Sequence, residues 1–317
     1  MTDNRRICVT APGSLMLMGE HSVLFDQPAL ACAVDKRIEV RLIPRGDRQV
    51  IIHSALAEYH SDLDALGAEP KLSFVLAAIE RQHKNLRDGF ELAIQSEFSH
   101  TVGLGSSAAV TVAVVTALTA FIGGDCEDRM ALFQEALAVV HQVQEGRGSG
   151  TDLVAAVFGG VVGYTVATSE HSAQVRSLKG IPEISLYYAG YKTTTPQVLK
   201  HVEGHCQQQP ELYAELYRLM GQCTQKAEIA VEQSDWPVLA QLMNIYQGLM
   251  DALGVNDKQL AEIIYTLRSS DQISAAKISG SGLGDCVLAL GHDATLSLPY
   301  EQIPVSISAQ GVTIEYN

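Results

Sequence analysis

The 317-residue sequence predicts a mixed α/β protein built from two domains. Three observations carry that reading. The first hundred residues hold short runs of alternating apolar residues. Longer runs with helical spacing follow them. A polar stretch from Ser169 to Gly180 then separates this half from a second, in which helical segments are bracketed by strands.

Taken in order, Ile7 to Ala11 and Met16 to Leu17 read as short strands around a turn at Pro12-Gly13. Val34, Ile38, Val40 and Leu42 mark a strand over Ala31 to Leu42, and Val50 to Ile52 is another. Leu72 to Arg81 has helical spacing, and Gly89 to Ser96 reads as a strand. Ala108 to Phe121 is an apolar helix. A second helix spans Asp128 to Glu145, with Met130, Phe133, Leu137 and Val140 on its apolar face. Small residues around Gly159-Gly160 lead into a strand through Val162 and Tyr164.

The domain boundary is placed inside the polar stretch, giving domains 1–178 and 179–317. Beyond it come a strand at Ser185 to Tyr191 and helices at Pro196 to His205, Pro210 to Gln233, Trp236 to Leu253 and Asp257 to Ser269. The expected closing strands are Ala275 to Ile278, Cys286 to Leu290, Val305 to Ile307 and Thr313 to Tyr316.

Composition narrows the function. The net charge of −14 supplies no basic stripe for a phosphate backbone, so nucleic acid is not an expected partner. Neither a secretory leader nor a membrane span is expected. The start lacks an apolar core, and the Ala108 to Ile122 run is too short and broken by threonines. The six cysteines are scattered with no C-x-x-C pair, which fits reduced thiols and a cytoplasmic location.

The segment Gly103-Leu-Gly-Ser-Ser-Ala-Ala109 carries the most chemistry. A glycine-rich turn opening a helix presents free amides and the positive end of the helix dipole, which suit phosphate. The residues expected at a nucleotide are Gly103, Leu104, Gly105, Ser106, Ser107 and Ala108. No Gly-Lys-Ser/Thr follows, so it is not a Walker loop, and a third glycine for a dinucleotide fingerprint is missing. A turn that merely caps a buried helix is the alternative. Asp152, after Gly148-Ser-Gly, reads either as a helix-capping carboxylate or as a catalytic one.

Two further glycine-bearing segments accompany it: Ala11-Pro-Gly-Ser-Leu-Met-Leu-Met-Gly-Glu-His21 and Lys277-Ile-Ser-Gly-Ser-Gly-Leu-Gly-Asp-Cys286. The three together, in this order and across nearly the whole chain, resemble the GHMP kinase family. Within it, Gly19-Glu-His-Ser-Val-Leu followed by Pro28-Ala-Leu is similar to mevalonate kinases. Gly148-Ser-Gly-Thr-Asp152 and Gly284-Asp-Cys286 are similar to phosphomevalonate kinases.

The resemblance implies a two-domain fold, the N-terminal domain like ribosomal protein S5 and the C-terminal one ferredoxin-like, with the active site between them. It implies ATP and Mg2+, and a small-molecule acceptor: mevalonate first, phosphomevalonate second. A galactokinase-like sugar kinase and a binding protein that has lost turnover are the remaining alternatives. A homodimer is left open.

The resemblance also assigns residues. Asp152 matches the catalytic aspartate that accepts the hydroxyl proton. Ser107 matches the metal-binding serine. Its partner glutamate is expected eleven residues before the aspartate, where this chain has His141; Glu145, one turn later, is the substitute ligand. The usual lysine after Ala-Pro-Gly is Ser14, so the cation is expected from Lys192. Glu20, His21, Thr195 and Ser281 are expected at the substrate, and Lys277 is expected to brace the third loop.

Overall fold

A computed structural model describes residues 6–99 and 103–317. The large sheet is laid down first. β1 (Ile7–Met18) and β2 (Ala29–Pro44) pair antiparallel along most of their length. β5 (Phe90–Ser96) flanks β2, and β3 (Gln49–Ser54) runs parallel to β5 with β4 (Glu58–Asp62) hairpinned to it. β6 (Val161–Thr165) pairs with the N-terminal part of β2 and with β7 (Gln174–Leu178).

Against this sheet lie α1 (Ser73–Gln82), α2 (Ser106–Phe121), α3 (Arg129–Val143) and α4 (Thr151–Phe158). α2 is apolar nearly all round because it sits between sheet and helices; Val112, Ala113, Val114, Ala117 and Leu118 are all buried.

The second sheet holds β8 (Ile184–Lys192), β9 (Ile273–Ser279), β10 (Gly284–Gly291) and β11 (Glu301–Ile303) in the order β11-β8-β10-β9, all antiparallel. Numbered within this domain, that is the 4-1-3-2 order of a ferredoxin-like sheet. The helices α5 (Thr195–Cys206), α6 (Pro210–Glu232), α7 (Trp236–Ala252) and α8 (Lys258–Arg268) all fall between its first two strands. Among the described residues no helix is long and apolar enough to cross a membrane.

Four expectations change. The Pro12-Gly13 turn is a bulge inside one continuous β1; a Cβ on Gly13 would sit 2.7 Å from the Leu104 carbonyl, so the glycine serves a close approach rather than a reversal. The polar stretch 169–180 contains β7, an edge strand whose exposed residues hid its period. The strand expected at Val305 to Ile307 is a single bridge, Val34 to Ile307, and the strand lies earlier, at β11. Finally β12 (Thr313–Tyr316) pairs with β1 in the large sheet, so the span 179–317 returns its last strand to the other domain.

Candidate active site

The helix α2 is capped at its start by Gly105, whose φ of 64° only glycine adopts cheaply. The first amide to bond back is that of Ala109, donating to the Gly105 carbonyl at 3.0 Å. The Ser107 and Ala108 amides make no backbone bond among the described residues, and the Ser107 side chain is exposed beside them. Two free amides and a hydroxyl at the positive end of a 16-residue helix fit a phosphate group.

The turn is built against β1. The Ser14 amide donates to the Leu104 carbonyl at 3.0 Å, and a Cβ on Gly105 would lie 2.0 Å from Ser14 Oγ. Ser14, 1% exposed, donates its hydroxyl to Asp152 Oδ1 at 2.8 Å. Asp152 lies in the first turn of α4, behind Gly150 at φ 83°. Tyr164 Oη fixes that preceding loop by donating to the Ser149 carbonyl at 2.7 Å. One buried serine thus ties the phosphate turn to the aspartate.

The electrostatics of Asp152 are mixed. Burial pushes its carboxyl above the usual aspartate range. The Ser14 hydroxyl and the Lys192 charge oppose that, and the charge of Asp285 adds to it. Lys192 stands at the end of β8, where its Nζ contacts Asp285 Oδ2 at 2.8 Å. Asp285 Oδ1 accepts from the Gly103 amide at 3.0 Å. Sequence reasoning gave Asp285 no role; its φ of 69°, rare for a side-chain-bearing residue, becomes evident only in the fold.

Glu20 and Lys277 form a buried ion pair at 2.5 Å across the two domains. Burial pushes the Glu20 carboxyl up and the Lys277 amine down, and their contact opposes both. Tyr246 from α7 stitches the same junction: its hydroxyl donates to the Glu20 carbonyl at 2.8 Å and accepts from the Gly19 amide at 3.0 Å. Glu20, expected at the substrate, is therefore 2% exposed and engaged by Lys277 in bracing the domains.

His21 is held at φ 60°, and its Nε2 donates to the Ser281 carbonyl at 2.8 Å. A carbonyl only accepts, so Nε2 carries the proton and Nδ1 is a bare acceptor; it is buried and without a partner among the described residues. Burial lowers the His21 pKa and keeps the ring neutral at pH 7. The Ser281 side chain makes no hydrogen bond among the described residues.

Of the three threonines after Lys192, Thr193 donates to the Leu283 carbonyl at 2.5 Å and Thr194 caps α5. Thr195 is exposed at the first position of that helix.

Glu145 is corrected as a metal ligand. The helix α3 ends at Val143, and Glu145 turns away at φ 54° instead of continuing the face of His141. Its side chain is 82% exposed and paired to Arg147 at 3.1 Å. His141 Nε2 lies 3.0 Å from the Gly148 carbonyl. Among the described residues no three His, Cys, Asp or Glu side chains gather to hold a metal.

Comparison with known proteins gives a consistent set. The chain matches the family models for the GHMP kinases N terminal domain over residues 72–160 and GHMP kinases C terminal over residues 227–297. A mevalonate kinase of Pyrococcus abyssi is 31% identical over 309 residues, covering 90% of this chain and 89% of that protein. Among solved structures, the Lin0012 protein of Listeria innocua aligns with a TM-score of 0.85 at 21% identity, covering 98% of this chain and 99% of that one. The Methanococcus jannaschii mevalonate kinase aligns at 0.78 and 18% identity, covering 95% and 98%.

Proposed function

This chain belongs to the GHMP kinase family, and from its site we infer that it phosphorylates the 5-hydroxyl of mevalonate. It is an ATP-dependent phosphotransferase acting on an alcohol. The observation that carries the reading is the chain of contacts from the Leu104 turn through Ser14 to Asp152. It sets a carboxylate beside the amides that suit a nucleotide's phosphates. Mevalonate is favoured as acceptor because the curated relatives at 31% identity are mevalonate kinases.

In this reading the terminal phosphates of ATP rest on the Ser107 and Ala108 amides. The acceptor hydroxyl stands between Asp152 and the γ-phosphorus. Its oxygen forms the new P–O bond as the bond to the ADP oxygen breaks, and its proton passes to Asp152. Asp152 serves through position more than basicity, since the proton leaves late in a loose transition state. Lys192 offsets the charge spread over the transferring oxygens. His21 Nδ1, bare and buried, accepts a hydrogen bond from a substrate hydroxyl; Ser281 and Thr195 are the further residues assigned to the substrate.

Mg2+ is the ion expected with ATP, and Ser107 is the residue that would share it. When bound, it neutralises phosphate charge. Magnesium bound with a nucleotide takes most of its ligands from phosphates and water, and Ser107 would add its hydroxyl.

The test is a coupled ADP-release assay on purified protein, run with mevalonate and phosphomevalonate side by side. The expected result is turnover with mevalonate and a product carrying one phosphate on its 5-oxygen. Turnover with phosphomevalonate alone would replace the acceptor.

A further inference from the structure

We propose that Asp285 is a positioning residue that parks Lys192 beside the phosphate turn and releases it to the transferring phosphoryl group. The proposal deepens the kinase reading above and rests on it.

Asp285 sits where the β8–β10 register shifts: Gly284 pairs with Lys192 and Cys286 with Tyr188, so Asp285 alone lies opposite the three residues 189–191 of β8, which carries the extra residues. At this irregularity the Asp285 carboxylate touches two different elements. Oδ1 takes the Gly103 amide at 3.0 Å, and Oδ2 takes Lys192 Nζ at 2.8 Å. The approach leaves no slack, since a Cβ on Gly103 would lie 2.3 Å from Oδ2. Asp285 itself adopts φ 69°, a conformation a side chain rarely takes unless surrounding contacts hold it.

The two partners differ in freedom. The Asp285 side chain is 11% exposed and anchored on backbone. The Lys192 side chain is 37% exposed on a flexible stem. Among the described residues Lys192 is the cation whose charge acts on Asp152, and position 14 holds a neutral serine. Before nucleotide arrives, the group is two carboxylates and one ammonium. A multiply charged phosphate on the turn competes with Asp285 for that ammonium, and the anchored carboxylate stays on Gly103. Asp285 thereby couples occupancy of the turn to delivery of the lysine, without touching the reacting atoms.

The experiment compares Asp285→Asn, Asp285→Ala, Lys192→Ala and the Lys192→Ala/Asp285→Asn double variant. ATP affinity is measured by calorimetry, and kcat and KM with mevalonate. Asp285→Asn keeps the acceptor for Gly103 but not the charge, so kcat falls about tenfold while ATP affinity stays within about twofold. Asp285→Ala loses both, and ATP binding weakens about fivefold as well. The double variant is no slower than Lys192→Ala, because Asp285 acts through the lysine.

Additive losses in the double variant, or an unchanged kcat in Asp285→Asn, would overturn the proposal. If the protein binds ATP yet leaves mevalonate unphosphorylated, the acceptor assignment fails. The affinity split between the Asn and Ala variants then still decides the role of Asp285, and equal affinities reject it. Asp285→Asn, nearly isosteric, covers the case in which the alanine variant does not fold.

Discussion

Ser14 does with a neutral hydroxyl what a cation would do more strongly: it stabilises the ionised form of Asp152. The sign of its effect on pH dependence follows. A hydrogen bond to the carboxylate lowers its pKa, so Ser14→Ala raises it. The acid limb of kcat/KM, where the base becomes protonated, then moves to higher pH, and kcat falls about tenfold with the loss of a hydrogen bond to a charged group. A pH–rate profile of the variant checks both. The Gly-Ser-Gly turn before a small-residue run announced a helix start at Asp152, and the proposed catalytic role came from the family resemblance, not from the local pattern. Glu145 was misleading for a physical reason. Helical spacing from His141 is a valid guide only while the helix lasts, and α3 stops before it. Nothing in the sequence pointed to the Asp285 contacts, because they join three segments distant in sequence, at Gly103, Lys192 and Asp285.

The phosphate turn works as an element because β1, the turn and α2 are fitted at single-atom clearance. Gly105 has both a positive φ and a hydroxyl where its Cβ would go. Gly105→Ala therefore costs about 1–2 kcal/mol in backbone conformation alone and forces Ser14 aside. The expected outcome is a rise of at least about tenfold in KM for ATP, with loss of the Ser14–Asp152 contact reflected in kcat; steady-state kinetics with varied ATP measures it. At this scale most elements were readable from apolar spacing, and α1, α2, α3 and the helices α5–α8 fall within a few residues of expectation. The failures were edge features. β7 is exposed and short, and β4 carries polar residues such as Glu58, His60 and Asp62, so neither shows a buried period, whereas β3 was readable from Val50 and Ile52.

At the scale of the molecule, a fully buried ion pair, Glu20–Lys277, and Tyr246 are among the contacts that join the two domains. Removing the cation alone leaves Glu20 without its partner in a dry junction. Lys277→Met is expected to cost about 3–5 kcal/mol of unfolding free energy, measured by denaturant titration. A Glu20→Leu/Lys277→Met double variant is expected to recover much of it, since the desolvation of both charges is then avoided. The pair was not foreseeable from either segment alone, though Lys277 was expected to brace its loop. The crossing of β12 back to β1 was hidden for the same reason: strand partners are set by tertiary packing, not by the strand's own residues. Both features serve one end, which is to set Asp152 and the phosphate turn of one domain opposite Lys192 and the third glycine loop of the other. The most direct test of that arrangement is single-turnover transfer from ATP to mevalonate by Asp152→Asn, with ATP affinity measured on the same preparation. The account predicts a transfer rate lower by about 10²–10⁴-fold with ATP affinity nearly unchanged; near-full transfer by the variant would contradict it.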